Sequence, residues 1–297
     1  MKAKQSRRTL LKNLALGASA AIAAPAISFA DKVSLKDNKH NKLKGNINHS
    51  VSRWTFNYLS LDDLCKAVKE IGFSAIDLVG PKDWPTLQQH GIYSSMCYTA
   101  GDNNLYKGLD NTIYHEKLVK EYLEVIPIMA KAGYKNLICF SGTREGMDDE
   151  TGMKNCQIAL EKILPFAEQN GVTMVMELLN SKVDHKDYMC NHVEWGAALC
   201  KMISSENFKL LFDIYHMQIQ EGDIIRNIRD YHQYIAHYHT GGVPGRHEIN
   251  NTQELYYPAI MKAIVETGYK GYVAQEFVPT YPDKLDSLRE AIKICDV

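Results

Sequence analysis

Thr-Met-Val-Met-Glu-Leu-Leu-Asn, residues 173–180, is a short apolar run that meets a carboxylate at Glu177. A charge at the end of a buried strand is unfavourable unless something compensates it. The same pattern recurs three times downstream. Residues 208–213, Phe-Lys-Leu-Leu-Phe-Asp, end on Asp213. Residues 234–239, Tyr-Ile-Ala-His-Tyr-His, end on His239. Residues 272–276, Tyr-Val-Ala-Gln-Glu, end on Glu276. Four apolar runs, each ending in a side chain able to bind metal, point to one shared cation.

Working outward, periodicity and glycine stops divide the chain into alternating elements. Strands are expected at 46–51, 75–79, 92–98, 136–140, 173–180, 208–212, 235–238 and 272–275. Helices are expected at 61–71, 84–90, 116–132, 155–170, 192–203, 223–231, 256–267 and 285–295. Most of these helices stop at a glycine just before the next strand. Repeated βα units imply a parallel α/β sheet, and eight of them imply closure into a single (β/α)8 TIM barrel. Closure brings the C-terminal ends of all strands to one mouth. Glu177, Asp213, His239 and Glu276 would meet there, although far apart in sequence. An open doubly wound sheet would call for a glycine-rich phosphate turn after an early strand, and none is present.

The whole chain has 297 residues, of which 45% are hydrophobic and 23% charged, an ordinary globular balance long enough for one barrel. Its net charge of -1 supplies no basic field for nucleic acid or anionic lipid. Seven cysteines, an odd number, show no C-x-x-C spacing and read as buried thiols. The N-terminus is a separate region. Arg7 and Arg8 precede an Ala-rich apolar segment, and Ser28 and Ala30 fit the positions before a cleavage at Asp31. Residues 1–30 resemble a twin-arginine signal peptide. Gly17 and Pro25 interrupt the apolar segment, so no stable membrane span is expected after signal removal. Residues 31–45 read as a flexible leader and 46–297 as the barrel. The expectation is an exported, periplasmic protein that uses the twin-arginine export machinery. Assembly into a homo-oligomer is left open.

Two glutamates, an aspartate and a histidine make an oxygen-rich site with one nitrogen. That mixture suits one divalent metal ion, Mn²⁺, Mg²⁺, Co²⁺ or Zn²⁺. Three carboxylates against one dication leave the site negative, which favours a neutral hydroxy-carbonyl substrate over a phosphate. Glu177 and Glu276 come from well-separated strands and can face opposite sides of a small-molecule substrate as catalytic acid and base. Trp54 could form an apolar wall against a sugar face, with His49 and Arg53 at the same mouth. Lys182 and His185 are candidate substrate contacts near the first ligand. Asp102, Asn103 and Asn104 read as substrate contacts or a turn. Ser141, Gly142, Thr143 and Arg144 read as an anion site or a polar loop. His237 either orients the strand of His239 or fills the barrel.

Glu-Leu-Leu-Asn (177–180), Asp-Ile-Tyr-His-Met-Gln (213–218), Pro-Gly-Arg-His-Glu (244–248) and Gln-Glu-Phe-Val-Pro (275–279) together resemble the hydroxypyruvate isomerase group. That group belongs to the xylose isomerase-like barrel superfamily, with the ketose 3-epimerases as cousins. The resemblance covers residues 46–297. It implies metal ligands at Glu177, Asp213, His239 and Glu276, and acid–base work by both glutamates through a cis-enediol. It implies that His216 contacts substrate and that Arg246 binds substrate oxygens. Val183 stands where the group places a glutamate, and His239 where its hydroxypyruvate isomerases place a glutamine. The expected activity is a metal-dependent isomerase. The alternatives are a ketose 3-epimerase, a keto-sugar dehydratase, or a non-catalytic exported sugar-binding protein. A phosphodiester-cleaving barrel would want more histidine ligands and a basic surface.

Overall fold

A computed structural model of the chain describes residues 43–101 and 104–297. The expected signal peptide, most of the leader, Asp102 and Asn103 lie outside the described residues. Leu43 packs on the hydrophobic core, and the backbone N–H of Lys44 donates to Asp296 Oδ1 at 2.9 Å. The last residues of the expected leader are therefore tied to the end of the chain.

Eight parallel strands form one sheet: β1 (Asn48–Ser52), β2 (Ala75–Asp77), β3 (Tyr93–Ser94), β4 (Asn136–Cys139), β5 (Thr173–Glu177), β6 (Phe208–Asp213), β7 (Ile235–Thr240) and β8 (Tyr272–Gln275). Their order is β3-β2-β1-β8-β7-β6-β5-β4, the sequence of a barrel opened between β3 and β4. The ring is completed there by a parallel bridge between Cys97 and Leu137. The Cys97 N–H donates to the Asn136 carbonyl at 2.8 Å, and the Ile138 N–H donates to the Cys97 carbonyl at 2.9 Å. The expected strand 92–98 is thus only two residues of regular ladder followed by this bridge.

The helices are α1 (Leu61–Ile71), α2 (Trp84–His90), α3 (His115–Ala132), α4 (Asp149–Asn170), α5 (Val193–Ile203), α6 (Ile214–Gln220), α7 (Ile224–Tyr231), α8 (Tyr257–Glu266) and α9 (Lys284–Cys295). The first four each end on a left-handed glycine, Gly72, Gly91, Gly133 and Gly171, as the stop signals anticipated. α4 begins earlier than expected, because the Asp148 side chain caps it by accepting from the Thr151 N–H at 2.7 Å. Gly152 lies inside the helix, where a Cβ would stand 2.2 Å from Met189 Cε. α6 was not anticipated. Its capping residue, Asp213, reads as the end of β6 and hides the start of the helix.

The main core lies between the strands and the helices. A second, smaller cluster of Met96, Ile138, Val175 and Leu211 fills part of the barrel lumen. The rest of the lumen is polar, with Ser50, Asp77, Ser95 and His237 all buried. All seven cysteines are buried and unpaired. Among the described residues no helix is long and apolar enough to cross a membrane.

Candidate metal centre

β5, β6 and β7 end at one mouth, and the chain leaving β8 continues there. Glu177 and Asp213 end their strands, His239 is next to last in β7 and Glu276 follows β8; all four are buried, with one potential ligand atom from each lying within 4.8 Å of the others. His239 is central. Its Nδ1 lies 2.7 Å from Glu276 Oε2, 3.3 Å from Glu177 Oε1 and 3.9 Å from Asp213 Oδ2. Yet this nitrogen makes no hydrogen bond of acceptable geometry. A buried ring nitrogen ringed by carboxylates that it does not hydrogen-bond is a fitting donor for a cation. The oxygen-rich set with one imidazole matches the divalent ions expected.

The carboxylates of Asp213 and Glu276 are held by hydrogen bonds from their surroundings, and Glu177 is held through its backbone. Asp213 Oδ1 accepts the His216 N–H at 3.1 Å, capping α6, while Oδ2 faces the cluster. Glu276 is fixed by Trp54 Nε1 at 2.7 Å and Ser52 Oγ at 3.2 Å, both on Oε1. The backbone carbonyl of Glu177 accepts from Tyr188 Oη at 3.1 Å.

Arg246 supplies the compensating charge. Its Nη2 lies 2.5 Å from Glu276 Oε2 and 3.0 Å from Asp213 Oδ2. The guanidinium also lies over the rings of Trp54 and Tyr215, 5.4 and 5.0 Å from their centroids. It is delivered by a tight turn in which Arg246 itself has φ +58°. A non-glycine residue there carries strain of about 1 kcal/mol or more.

These contacts separate the proton affinities of the two glutamates. Burial raises the pKa of Glu177, and the charge of Glu276 adds to the rise against the contact with His239. Burial would raise Glu276 too, but without a metal ion His239 is protonated, and its charge with that of Arg246 overcomes burial and holds that carboxyl well below its ordinary range. Burial also raises Asp213, to about 7, against the pull of Arg246. Burial, reinforced by Arg246, pushes His216 well below its ordinary value, so its imidazole is neutral.

A cavity of ≈ 250 Å³ opens above the cluster. Trp54, Glu177, His185, His216, Arg246 and Glu276 line it, with Leu78, Leu105, Ile138, Phe140 and Leu179 as an apolar flank. A larger surface cavity of ≈ 740 Å³ lies against α3 and α4 and contains none of these groups. Chemistry, not size, identifies the smaller one.

Four of the five expected substrate contacts line the mouth cavity: Trp54, His185, His216 and Arg246. Lys182 is exposed and does not line it. His49 does not face the mouth. It lies within β1, between the lumen-facing Ser50 and the helix layer, with its ring edge-on to Phe73 at 6.1 Å. Burial drives its pKa down to about 4. Arg53 binds the carbonyls of Phe56 and Leu59 instead of facing substrate. Arg144 pairs with Asp149, and Ser141 Oγ accepts the Cys190 N–H at 3.0 Å, so that loop is occupied by its own structure. Sequence reasoning missed Ser52 and Asn180. Asn180 Nδ2 lies 2.6 Å from His216 Nδ1, and Asn180 Oδ1 accepts the N–H groups of Val183 and Asp184. Its place in the Glu-Leu-Leu-Asn motif was the available signal.

The chain is 36% identical over 113 residues to a 2-oxo-tetronate isomerase of Cupriavidus necator, covering 38% of this chain and 43% of that protein. It is 30% identical over 111 residues to a putative hydroxypyruvate isomerase of Homo sapiens, covering 37% and 40% respectively. These matches therefore span less than half of each relative's length. Among solved structures, an AP endonuclease, family 2, from Brucella melitensis superposes with a TM-score of 0.73 at 23% identity, over 82% of this chain and 96% of the other. That likeness concerns the fold. Residues 65–295 match the model of a family described as xylose isomerase-like TIM barrel. With most of its length matched, and with eight parallel strands in barrel order, the chain belongs to the xylose isomerase-like TIM barrel family.

Proposed function

We propose that the chain is a divalent-metal-dependent isomerase that moves a proton beside the carbonyl of a small hydroxy-carbonyl substrate. The carrying observation is the pair Glu177 and Glu276, which come from separate strands, flank His239 and line one cavity. Two carboxyl groups whose environments push their pKa values apart divide into an acid and a base. Relatives named as isomerases of 2-oxo-tetronate and hydroxypyruvate support the same class.

Glu177, Asp213, His239 and Glu276 would hold the metal ion. When bound there, a dication polarises a carbonyl oxygen and acidifies the neighbouring C–H. Glu276, ionised at rest, accepts the proton from carbon. Glu177, with its raised affinity, holds a proton ready to return to the adjacent position. The reverse reaction exchanges their roles. Arg246 and neutral His216, joined by Arg246 Nη1 donating to His216 Nε2 at 3.0 Å, form the polar wall against which the substrate's oxygens would sit, and Trp54 with the apolar flank limits access of water. The charge balance differs from the expectation of a negative site. Arg246 lies in contact with two of the three carboxylates, so with a dication the cluster is neutral when all three are ionised and carries one positive charge when Glu177 holds its proton. A carboxylate-bearing substrate is then not repelled. Export through residues 1–30 is part of the same proposal, resting on Arg7 and Arg8 and the apolar segment after them.

The test is solvent exchange. Metal-stripped protein reloaded with Mn²⁺ is incubated in D₂O with hydroxypyruvate, 2-oxo-tetronate or D-psicose. Deuterium is expected at the carbon beside the carbonyl of at least one, with the label lost on chelation and in Glu276→Gln. Inversion at the labelled carbon would identify epimerisation instead of isomerisation. No exchange with Mn²⁺, Mg²⁺, Co²⁺ or Zn²⁺, as a sugar-binding protein would show, overturns the proposal.

A further inference from the structure

The lumen beneath the candidate metal centre is built in an unusual way. Barrel interiors are filled mainly by branched apolar side chains, and Met96, Ile138, Val175 and Leu211 do this on one side. On the other side a carboxylate, Asp77, is completely buried, with no lysine or arginine paired to it among the described residues. A buried carboxylate without a purpose is costly, and apolar replacements are generally tolerated better. Its partners are two imidazoles and a hydroxyl. His237 Nε2 makes a short contact to Asp77 Oδ2, and Ser95 Oγ donates to the same oxygen at 3.3 Å. His239 Nε2 lies 3.4 Å from it. Asp77 Oδ1 has no hydrogen-bond partner.

His239 therefore stands between two sets of carboxylates. Its Nδ1 faces Glu177, Asp213 and Glu276, and its Nε2 faces Asp77. An imidazole can offer a lone pair at only one nitrogen while the other carries the proton. For Nδ1 to serve as a ligand, the proton must sit on Nε2 and needs an acceptor there. Asp77 is the carboxylate on that side, with Oδ2 at 3.4 Å from Nε2, although Nε2, like Nδ1, makes no hydrogen bond of acceptable geometry as placed.

We propose that Asp77 is a positioning residue that fixes the Nε2–H tautomer and the ring orientation of His239, with His237 anchoring Asp77 from the other side. This rests on the metal-dependent reading above. It assigns a task to a residue of β2, a strand that contributes no ligand. A carboxylate behind a metal-binding histidine holds the ring and raises its basicity, and losing such a partner typically weakens metal affinity about 10- to 100-fold.

The experiment uses metal-stripped full-length protein titrated with Co²⁺, followed by visible absorption. Wild type is expected to bind one equivalent, and Asp77→Asn to bind about 10- to 100-fold more weakly. Asp110→Asn, which changes a buried aspartate outside the cluster, is expected to stay close to wild type. Equal weakening in both variants, or an unchanged affinity in Asp77→Asn, overturns the assignment. Wild type that binds no Co²⁺, Mn²⁺ or Zn²⁺ overturns the metal reading itself, and the assignment with it. Should Asp77→Asn fail to fold, long-range ¹H–¹⁵N spectra of Zn²⁺-loaded wild type decide. A proton on His239 Nε2 supports the role, and a proton on Nδ1 refutes it.

Discussion

Asp110 is a buried carboxylate that the candidate site does not use. It is fully inaccessible, and neither side-chain oxygen has a hydrogen-bond partner. Burial, helped by the charge of Glu145, pushes its pKa up to about 7. In the unfolded chain the group titrates in the ordinary carboxylate range near 4. Below about pH 4 both states hold the proton, and the group contributes no pH dependence. As pH rises from about 4 to 7, the unfolded state gives up its proton while the folded state keeps it, so stability falls. The full penalty is present above about pH 7. Asp110→Asn removes the ionisation but keeps the shape. Its melting temperature is expected to exceed that of wild type by a few degrees near pH 8, with the gain shrinking to nothing near pH 4. A pH-independent difference between the two proteins would contradict the assignment. Glu276 is the opposite case, a carboxylate equally buried but kept ionised by Arg246 and His239. Neighbours, not burial alone, decide which buried acid carries charge.

At the scale of single elements, Asp213 has two tasks. One oxygen caps α6 and the other faces the candidate cation. Asparagine caps a helix about as well as aspartate but lacks the charge. Asp213→Asn is therefore expected to keep a melting temperature near wild type while weakening Co²⁺ binding at least about tenfold, since a ligand's charge is lost. Asp213→Ala should lose both. A large loss of stability in Asp213→Asn would show that the carboxylate charge, not the cap, holds this corner. The double role also explains why α6 escaped the sequence. Its capping residue reads as the end of β6, so no separate start signal marks the helix. Long helices were legible because their glycine stops adopt left-handed backbone. The four candidate ligands were legible because each interrupts an apolar run. Asp77 was not. Ala-Ile-Asp-Leu-Val looks like any strand, and the partner His237 lies 160 residues away. Polar pairing across a barrel lumen leaves no local periodicity. His49 misled for the related reason that a histidine in a strand gives no sign of which face it occupies.

For the whole molecule, the ring is unevenly joined. β4 and β5 pair through four residues of register, as do β5 and β6. Between β3 and β4 the join is the single bridge at Cys97 and Leu137, supported by Asn136 Nδ2 donating to the Ser95 carbonyl at 3.2 Å. All four candidate ligands come from the consecutive run β5 to β8, and none from a strand at this seam. Regions with fewer ladder hydrogen bonds open at lower free energy. Amide hydrogen exchange should therefore be fastest, among the strand peptides, in those covering residues 95–98 and 136–139. Peptides covering 174–178 and 210–213 should be better protected. A ligand that binds only the folded state lowers the population of open forms at its own site. Adding Mn²⁺ should then slow exchange at the ends of β5 to β8 while leaving the seam close to its metal-free rate. Uniform protection around the ring would deny that the seam is weak. Equal slowing at seam and ligand strands would mean that the barrel opens only as one unit, so that the cation stabilises the closed ring rather than its own corner of it.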